Sequence, residues 1–187
     1  MPGYFIFLEI LDPEINAFFS MVSEIMVGEK PKRAPHLTVR GPYEGKLPES
    51  ILEECKEAMK YDVLKIGPVG RFSNKDEEIV YFMVDSPHLR KIWWKPSYPM
   101  KKHGFNPHLS IYRGINRRFA DSLVSLLEKE EIILLCAEHR LVSHLVKQIE
   151  LFPENIPVAR HFKRLVDSSR VSPKFLSRLK RIVNESL

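Results

Sequence analysis

Two short segments of this chain repeat one alternating pattern, and the repeat restricts the fold more than any other feature of the sequence. Residues 35–39 are Pro-His-Leu-Thr-Val, and residues 107–111 are Pro-His-Leu-Ser-Ile. Polar and apolar side chains alternate, as in a β-strand with one open and one buried face. The proline before each histidine donates no ladder hydrogen bond, which suits the start of a strand. We therefore expect two strands that anchor apolar side chains in a core and present a histidine and a hydroxyl on the other face.

The rest of the chain mixes strand and helix signals. Strand-like apolar segments are predicted at 3–11, 63–72, 78–85 and 132–151. Helices with capping residues or apolar stripes are predicted at 12–28, 48–59, 86–95, 116–127, 162–166 and 172–183. Because strand pairs are interspersed with helices, we predict an α+β fold rather than a doubly wound parallel sheet.

Composition narrows the class of protein. With 187 residues, of which 44% are hydrophobic, the chain suits one globular domain and not a disordered protein. Cys55 and Cys136 lie far apart without zinc-site spacing, so we expect reduced thiols. No basic region precedes the apolar N-terminal segment, and no apolar run reaches the ~18–20 residues that span a bilayer. We expect a cytoplasmic protein with no membrane partner.

The formal net charge of +5 is unevenly distributed. Residues 86–120 carry +8 with no acidic residue, residues 151–187 carry +5, and the remainder carries −8. The first of these stretches surrounds the second histidine motif. A concentration of positive charge there would attract a polyanionic substrate.

The two histidines, His36 and His108, supply what general acid–base catalysis on a phosphodiester needs. One neutral imidazole can take a proton from water or from a ribose hydroxyl, while the other, protonated, donates to the leaving oxygen. Thr38 and Ser110 share a face with these histidines by strand alternation, so their hydroxyls can donate to non-bridging phosphate oxygens. This chemistry requires no metal and no other cofactor.

Three further residues are candidates for binding the substrate. Alternation places Arg40 on the face of His36, where its guanidinium would be an additional phosphate ligand. The same rule places Tyr112 on the face of His108, where its ring could stack on a base. Trp94 lies in the basic stretch and, expected to be exposed, is the second stacking candidate.

Other interpretations of the motif stay open. A single histidine in a strand is commonly structural, but here the polar residues repeat on one face together with the apolar residues on the other. A metal site is the other alternative, although neither motif contains an Asp or Glu to complete the ligands. Whether Arg71 or Phe72 reaches the same site from a strand end also stays open.

The two motifs resemble the signature of the 2H phosphoesterases, which include the RNA 2′,3′-cyclic phosphodiesterases also called 2′-5′ RNA ligases. That signature is a pair of H-x-T/S-x motifs, matched here by residues 36–39 and 108–111. The resemblance implies a bilobal, pseudo-twofold α+β fold whose antiparallel sheets line a central cleft. It implies that the two histidines act as acid and base and that Thr38 and Ser110 hold phosphate. On this basis we expect a catalytic domain at 1–152 and a basic, amphipathic helical appendage at 153–187.

The expected function is therefore a metal-independent phosphodiesterase. Its substrates would be RNA 2′,3′-cyclic phosphate ends, or 2′-5′-linked or cyclic nucleotides. One alternative is a degrader of cyclic oligonucleotide signals on the same fold. Another is an RNA-binding module without turnover, and a third is an interaction protein that works through its basic tail. The sequence does not indicate the oligomeric state.

Overall fold

The computed structural model describes residues 3–28, 31, 33–96, 99–146 and 172–186, apart from the side chain of His103. The helix predicted at 162–166 and the end of the strand segment predicted at 132–151 lie outside the described residues.

Strands and helices are interspersed along the chain as predicted. The strands are β1 (Gly3–Ile10), β2 (His36–Tyr43), β3 (Leu64–Ser73), β4 (Glu78–Asp85), β5 (His108–Gly114), β6 (Leu134–Cys136) and β7 (His139–Val146). The helices are α1 (Pro13–Val27), α2 (Glu49–Met59), α3 (Pro87–Ile92), α4 (Met100–His103), α5 (Arg117–Lys129) and α6 (Pro173–Glu185). Both motif segments form strands, β2 and β5.

The helix predicted at 86–95 is shorter than expected. It ends at Ile92, and Trp94 instead pairs with β2: its N–H donates to the Val39 carbonyl at 3.1 Å, and its carbonyl accepts from the Gly41 N–H at 3.2 Å. Pro96 favours an extended Lys95 just before it, which is compatible with this pairing. Residues 93–95 therefore run beside the motif strand β2.

The strands form two antiparallel sheets, so the α+β class is confirmed. The first sheet has the order β2-β1-β7, and the second has the order β5-β4-β3-β6. Each motif strand lies at the edge of its sheet, and the two edge strands are in contact with each other.

The helices α1, α5 and α6 enclose the core behind the second sheet. The ring centroid of Phe18 on α1 lies 6.0 Å from that of Phe82 on β4 and 6.4 Å from that of Phe175 on α6. Phe175, Leu179 and Val183 form the apolar stripe of α6 and are at most 1% exposed. The amphipathic C-terminal helix is thus part of the core.

Neither cysteine is paired, and both Cys55 and Cys136 are buried. Burial raises the pKa of the Cys136 thiol to about 11. Among the helices that the structure describes, none combines the length and the apolar character needed to cross a bilayer.

The packing of α6 predicts a large effect on stability. Replacing Phe175 by Ala removes a fully buried ring and should lower the free energy of unfolding by about 3–5 kcal/mol. Denaturant titration measures this value. Lys174→Ala, at the exposed neighbouring position, is the control and should change it by no more than about 0.5 kcal/mol. A loss below 1 kcal/mol for Phe175→Ala would show that α6 does not stabilise the core.

Candidate active site

Strand β2 presents His36 and Thr38 on the open face of the first sheet. His36 lies opposite Glu9 of β1, and Thr38 lies opposite Phe7. The alternate residues Leu37 and Val39 are 2% and 0% exposed. His36 itself is exposed, and Thr38 is partly exposed. The predicted alternation therefore holds from His36 to Val39.

Strand β5 repeats this arrangement in the second sheet. His108 lies opposite Met83 of β4, and Ser110 lies opposite Tyr81. Leu109 is 1% exposed and faces the core, whereas His108 is half-buried and Ser110 is exposed. Each sheet thus offers an imidazole and a hydroxyl at its edge.

The two imidazoles are held in the same way. The Nδ1 atom of His36 lies 3.1 Å from the carbonyl oxygen of Ala34, and Nδ1 of His108 lies 2.8 Å from that of Asn106. A carbonyl oxygen can only accept, so Nδ1 carries the donated proton in each ring. The neutral ring then has a free lone pair on Nε2, and the protonated ring has an Nε2–H to donate. Each histidine can therefore exchange a proton through its Nε2 atom.

Aromatic rings border both histidines. The ring centroid of Phe7 lies 5.0 Å from that of His36 in an edge-to-face contact. Phe72 and Tyr81 lie 5.1 Å and 4.9 Å from the His108 ring. Phe72 therefore reaches the site from β3, which the sequence had left open.

Its neighbour Arg71 points to the other side of the sheet. The Nε atom of Arg71 donates to Glu78 Oε2 at 2.8 Å, and Nη1 contacts Asp121 on α5. Arg71 thus joins α5 to the second sheet and does not reach the histidines.

The prediction that Arg40 shares the face of His36 is wrong. Thr38 pairs with Phe7, but the next matched pair is Arg40 with Ile6, so Val39 is an extra residue in β2. Such a β-bulge reverses the alternation beyond it. Arg40 consequently lies on the face of the fully buried Ile6, and its Nε donates to the Ile92 carbonyl at 2.6 Å. In this position Arg40 holds the end of α3 rather than facing the open side.

The prediction that Tyr112 shares the face of His108 is also wrong. Ser110 pairs with Tyr81 and Tyr112 with Val80, so Ile111 is the extra residue in β5. Tyr112 therefore shares the face of the fully buried Val80, and its ring centroid lies 4.8 Å from that of Phe119 on α5. It cannot stack on a base beside His108 from there.

The bulge in β5 brings Arg113 to the open face instead. Arg113 lies opposite Ile79, one position beyond the pair formed by Tyr112 and Val80. Its Nη2 atom donates to Glu77 Oε2 at 2.8 Å, and its Nε contacts the other carboxylate oxygen. The guanidinium is therefore held in place by a bidentate ion pair.

Lys95 is a site residue that the sequence analysis missed. Its ammonium lies 4.7 Å from the centroid of the Trp93 ring, and burial lowers its pKa to about 8. The segment that carries it is hydrogen-bonded to β2, yet its charge acts on His108 of β5. Lys95 therefore follows a residue that pairs with β2, and its charge contributes to the lowered pKa of His108 on β5.

Burial is the main cause that lowers the pKa of His108. The positive charges of Lys95 and Arg113 lower it further, and the hydrogen bond to Asn106 opposes the shift. His108 is consequently neutral at neutral pH, with the Nε2 lone pair available to accept a proton.

Trp94 is exposed to 44%, as predicted. Its ring centroid lies 4.9 Å from that of Tyr43, and its backbone pairs with β2 beside Arg40. Trp94 thus presents an exposed aromatic ring next to the first motif strand, and base stacking on it stays a prediction.

Metal-ligand side chains do not gather at one point in the part of the chain that the structure describes. Within residues 3–146 and 172–186, less the gaps named above, no group of three or more His, Cys, Asp or Glu side chains could hold a metal ion.

Comparison with known proteins does not assign the chain to a family. No family model matches the sequence, and no curated protein or solved structure matches the chain.

The position of Lys95 predicts a change in the titration of His108. Lys95→Met removes a positive charge that disfavours the imidazolium, so the pKa of His108 should rise towards the ordinary histidine value. NMR titration of the His108 ring measures the shift. Lys91→Met removes an exposed charge and is the matched control, which should leave the titration unchanged. Equal titration curves in both variants would contradict the placement of Lys95.

Proposed function

We propose that this protein is a metal-independent phosphodiesterase of the 2H type. Its substrates would be RNA 2′,3′-cyclic phosphate ends, or 2′-5′-linked or cyclic nucleotides. The observation that carries the proposal is the matched presentation of His36 and His108. Each donates from Nδ1 to the carbonyl two residues earlier, and each is followed two residues later by a hydroxyl on the same face.

The topology supports a bilobal, pseudo-twofold arrangement around a central cleft. In each sheet the motif strand is at the edge, and its neighbour is β1 or β4. The next strand is β7 in the first sheet, which follows the second motif along the chain, and β3 in the second sheet, which precedes that motif. The bulges at Val39 and Ile111 fall at equivalent positions of the two motifs.

The electrostatics favour His108 as the general base, which leaves the role of general acid to His36. His108 is kept neutral by burial and by the charges of Lys95 and Arg113, so its Nε2 can accept a proton from the attacking water. The water oxygen bonds to phosphorus, the bond to one ribose oxygen breaks, and the protonated His36 gives its Nε2 proton to that leaving oxygen. One proton enters the His pair and one leaves it.

The remaining polar groups suit the charge on the phosphate. The hydroxyls of Thr38 and Ser110 can donate to the non-bridging oxygens, where charge develops in the transition state. Lys95, whose charge contributes to the lowered pKa of His108, would attract the phosphate electrostatically, and Arg113 would do so from β5.

The exposed ring of Trp94 favours a nucleic-acid substrate over a lone phosphate ester. Aromatic faces stack on bases without a strong sequence preference. Trp94 belongs to the stretch with a charge of +8, where a second nucleotide of an RNA end would be bound. A cytoplasmic location is part of this proposal.

The histidine pair predicts complete dependence on both rings. In EDTA, the wild type should cleave at least one member of a panel of 2′,3′-cyclic nucleotides, 2′-5′-linked dinucleotides and cyclic oligonucleotides. His36→Ala and His108→Ala should each lower kcat by about 10²–10⁴-fold, because each removes a proton-transfer group. The matched control is His88→Ala, which changes an exposed histidine on α3 whose Nδ1 lies 3.1 Å from Asp62 Oδ1. This variant should retain full activity.

The panel also separates the alternatives. Cleavage confined to cyclic oligonucleotides would select the degrader of cyclic signals. RNA binding without cleavage of any member would favour the non-catalytic binding module. Activity that survives both histidine substitutions would rule out the mechanism.

The hydroxyls should affect the chemical step more than binding. Thr38→Val keeps the shape of the side chain but removes its donor, so kcat should fall by about 10–10³-fold. Ser110→Ala should have a similar effect on the other side. Thr38→Ser and Ser110→Thr keep the donor and serve as controls, with kcat expected within about threefold of the wild type. Steady-state kinetics distinguishes these results from a change confined to KM, which would assign the hydroxyls to ground-state binding.

A further inference from the structure

Gly70 lies inside β3, where a glycine weakens a strand because it has no side chain to pack. It is not among the glycines with a positive φ angle, so the backbone conformation does not require a glycine here. A Cβ atom at position 70 would lie 2.7 Å from Cε2 and Cζ of Tyr81 and 2.8 Å from its hydroxyl oxygen. Carbon atoms in contact are about 3.5 Å apart or more. The Tyr81 ring therefore occupies the space that a side chain at position 70 would need.

Tyr81 lies on the open face of the second sheet, between the two strands that flank β4. It pairs with Ser110 of β5 on one side and with Gly70 of β3 on the other. The residues before and after Tyr81 are fully buried, so its side chain points away from the core. Because Gly70 leaves room, the ring stacks on Phe72 of β3, with centroids 4.3 Å apart and an interplanar angle of 27°.

This stacked pair of Tyr81 and Phe72 packs against the imidazole of His108. The ring centroids of Tyr81 and Phe72 lie 4.9 Å and 5.1 Å from that of His108. The Nδ1 atom of His108 is held separately, by the carbonyl oxygen of Asn106 at 2.8 Å. An imidazole that is bonded at Nδ1 and packed on two stacked rings keeps one orientation. The direction of its Nε2 atom, through which it exchanges a proton, is fixed as well.

We propose that Gly70 and Tyr81 are positioning residues for the general base. The missing side chain of Gly70 makes room for the Tyr81 ring, and that ring, stacked on Phe72, holds the His108 imidazole in the orientation that proton transfer needs. The inference rests on the proposed function, because it takes His108 to be the base. It adds a requirement for a glycine two strands away from the second motif. Since a misplacement of about 1 Å can lower a rate about 10²-fold, a methyl group at position 70 should affect catalysis.

The Tyr81 ring also keeps water from one side of His108. Burial is the largest cause of the lowered pKa of His108, and the charges that add to it come from Lys95, which follows α3, and from Arg113 of β5. Burial raises the pKa of Tyr81, so its phenol is uncharged at neutral pH and contributes no charge of its own. Removing the ring while both cations stay should therefore raise the pKa of His108 towards the ordinary histidine value.

NMR titration of the histidine rings tests the positioning without any turnover. Tyr81→Val removes the ring and should raise the pKa of His108, while the titration of His36 on the other sheet stays as in the wild type. Tyr81→Phe keeps the ring and is the conservative control, in which both histidines should titrate as in the wild type. An unchanged pKa of His108 in Tyr81→Val, or an equal change at His36, would overturn the proposal. These outcomes do not depend on any substrate, so they stand even if the phosphodiesterase function fails.

Kinetics of a double-mutant cycle tests the role of the glycine. Gly70→Ala should lower kcat about 10–100-fold, with KM within about threefold of the wild type, because the added methyl group displaces the Tyr81 ring. In the Tyr81→Val background the three atoms closest to that methyl group are gone, so Gly70→Ala should lower kcat by less than about twofold. Tyr81→Phe alone should keep kcat within about threefold.

Two results would contradict the proposal. An equal loss from Gly70→Ala in both backgrounds, or no loss in either, would show that the methyl group does not act through the Tyr81 ring. A large loss of kcat in Tyr81→Phe would assign the effect to the hydroxyl instead of the ring.

Discussion

The burial of Leu37 and Leu109 is the constraint on which the rest of the site depends. Leu37 lies opposite the fully buried Leu8, and Leu109 lies opposite the fully buried Phe82. A slip of one residue in either pairing would turn the neighbouring histidine into the core and expose the leucine. Burying an imidazole without its hydrogen bonds is costly, as is exposing an apolar side chain, so both terms oppose the slip. The same contacts that stabilise the sheets thereby fix the open face.

Strand alternation correctly predicted that four candidate residues share the open face, two in each motif strand. It failed for the next candidate in each strand. From His36 to Val39 and from His108 to Ile111 the two-residue period holds, because each strand has a continuous apolar face to bury. Beyond these points a bulge adds one residue, and Arg40 and Tyr112 fall on the buried side. A bulge depends on pairing with a partner strand, which local sequence does not specify. The residue inserted before the second Arg-Gly pair, Tyr112, is not a signal for the bulges, because the bulge lies at the equivalent position of both motifs.

Lys95 illustrates that local sequence patterns do not predict which side chains tertiary packing brings to the site. The sequence shows it only as one of eight cations in a basic stretch. Its effect on His108 arises because the preceding residue, Trp94, pairs with β2 while β2 lies against β5, which is a matter of tertiary structure. The two histidines also differ through packing alone: His36 is exposed and His108 is half-buried, although their sequence contexts are nearly identical. The surroundings of the second motif thus lower the pKa of His108, which the motif sequence alone does not indicate.

The joining of strands from distant parts of the chain in one sheet has a consequence for how the protein forms. The first sheet needs β7, which follows the second motif, before β1 has both of its neighbours. The chain up to the turn between β3 and β4 contains no complete sheet, so we expect a chain released up to that turn to leave β1 with an unpaired edge. Contacts between residues so distant in sequence make folding slow relative to a helical protein of equal length. The chain must therefore be synthesised as far as Val146 before the first sheet, which holds one of the two histidine strands, is complete.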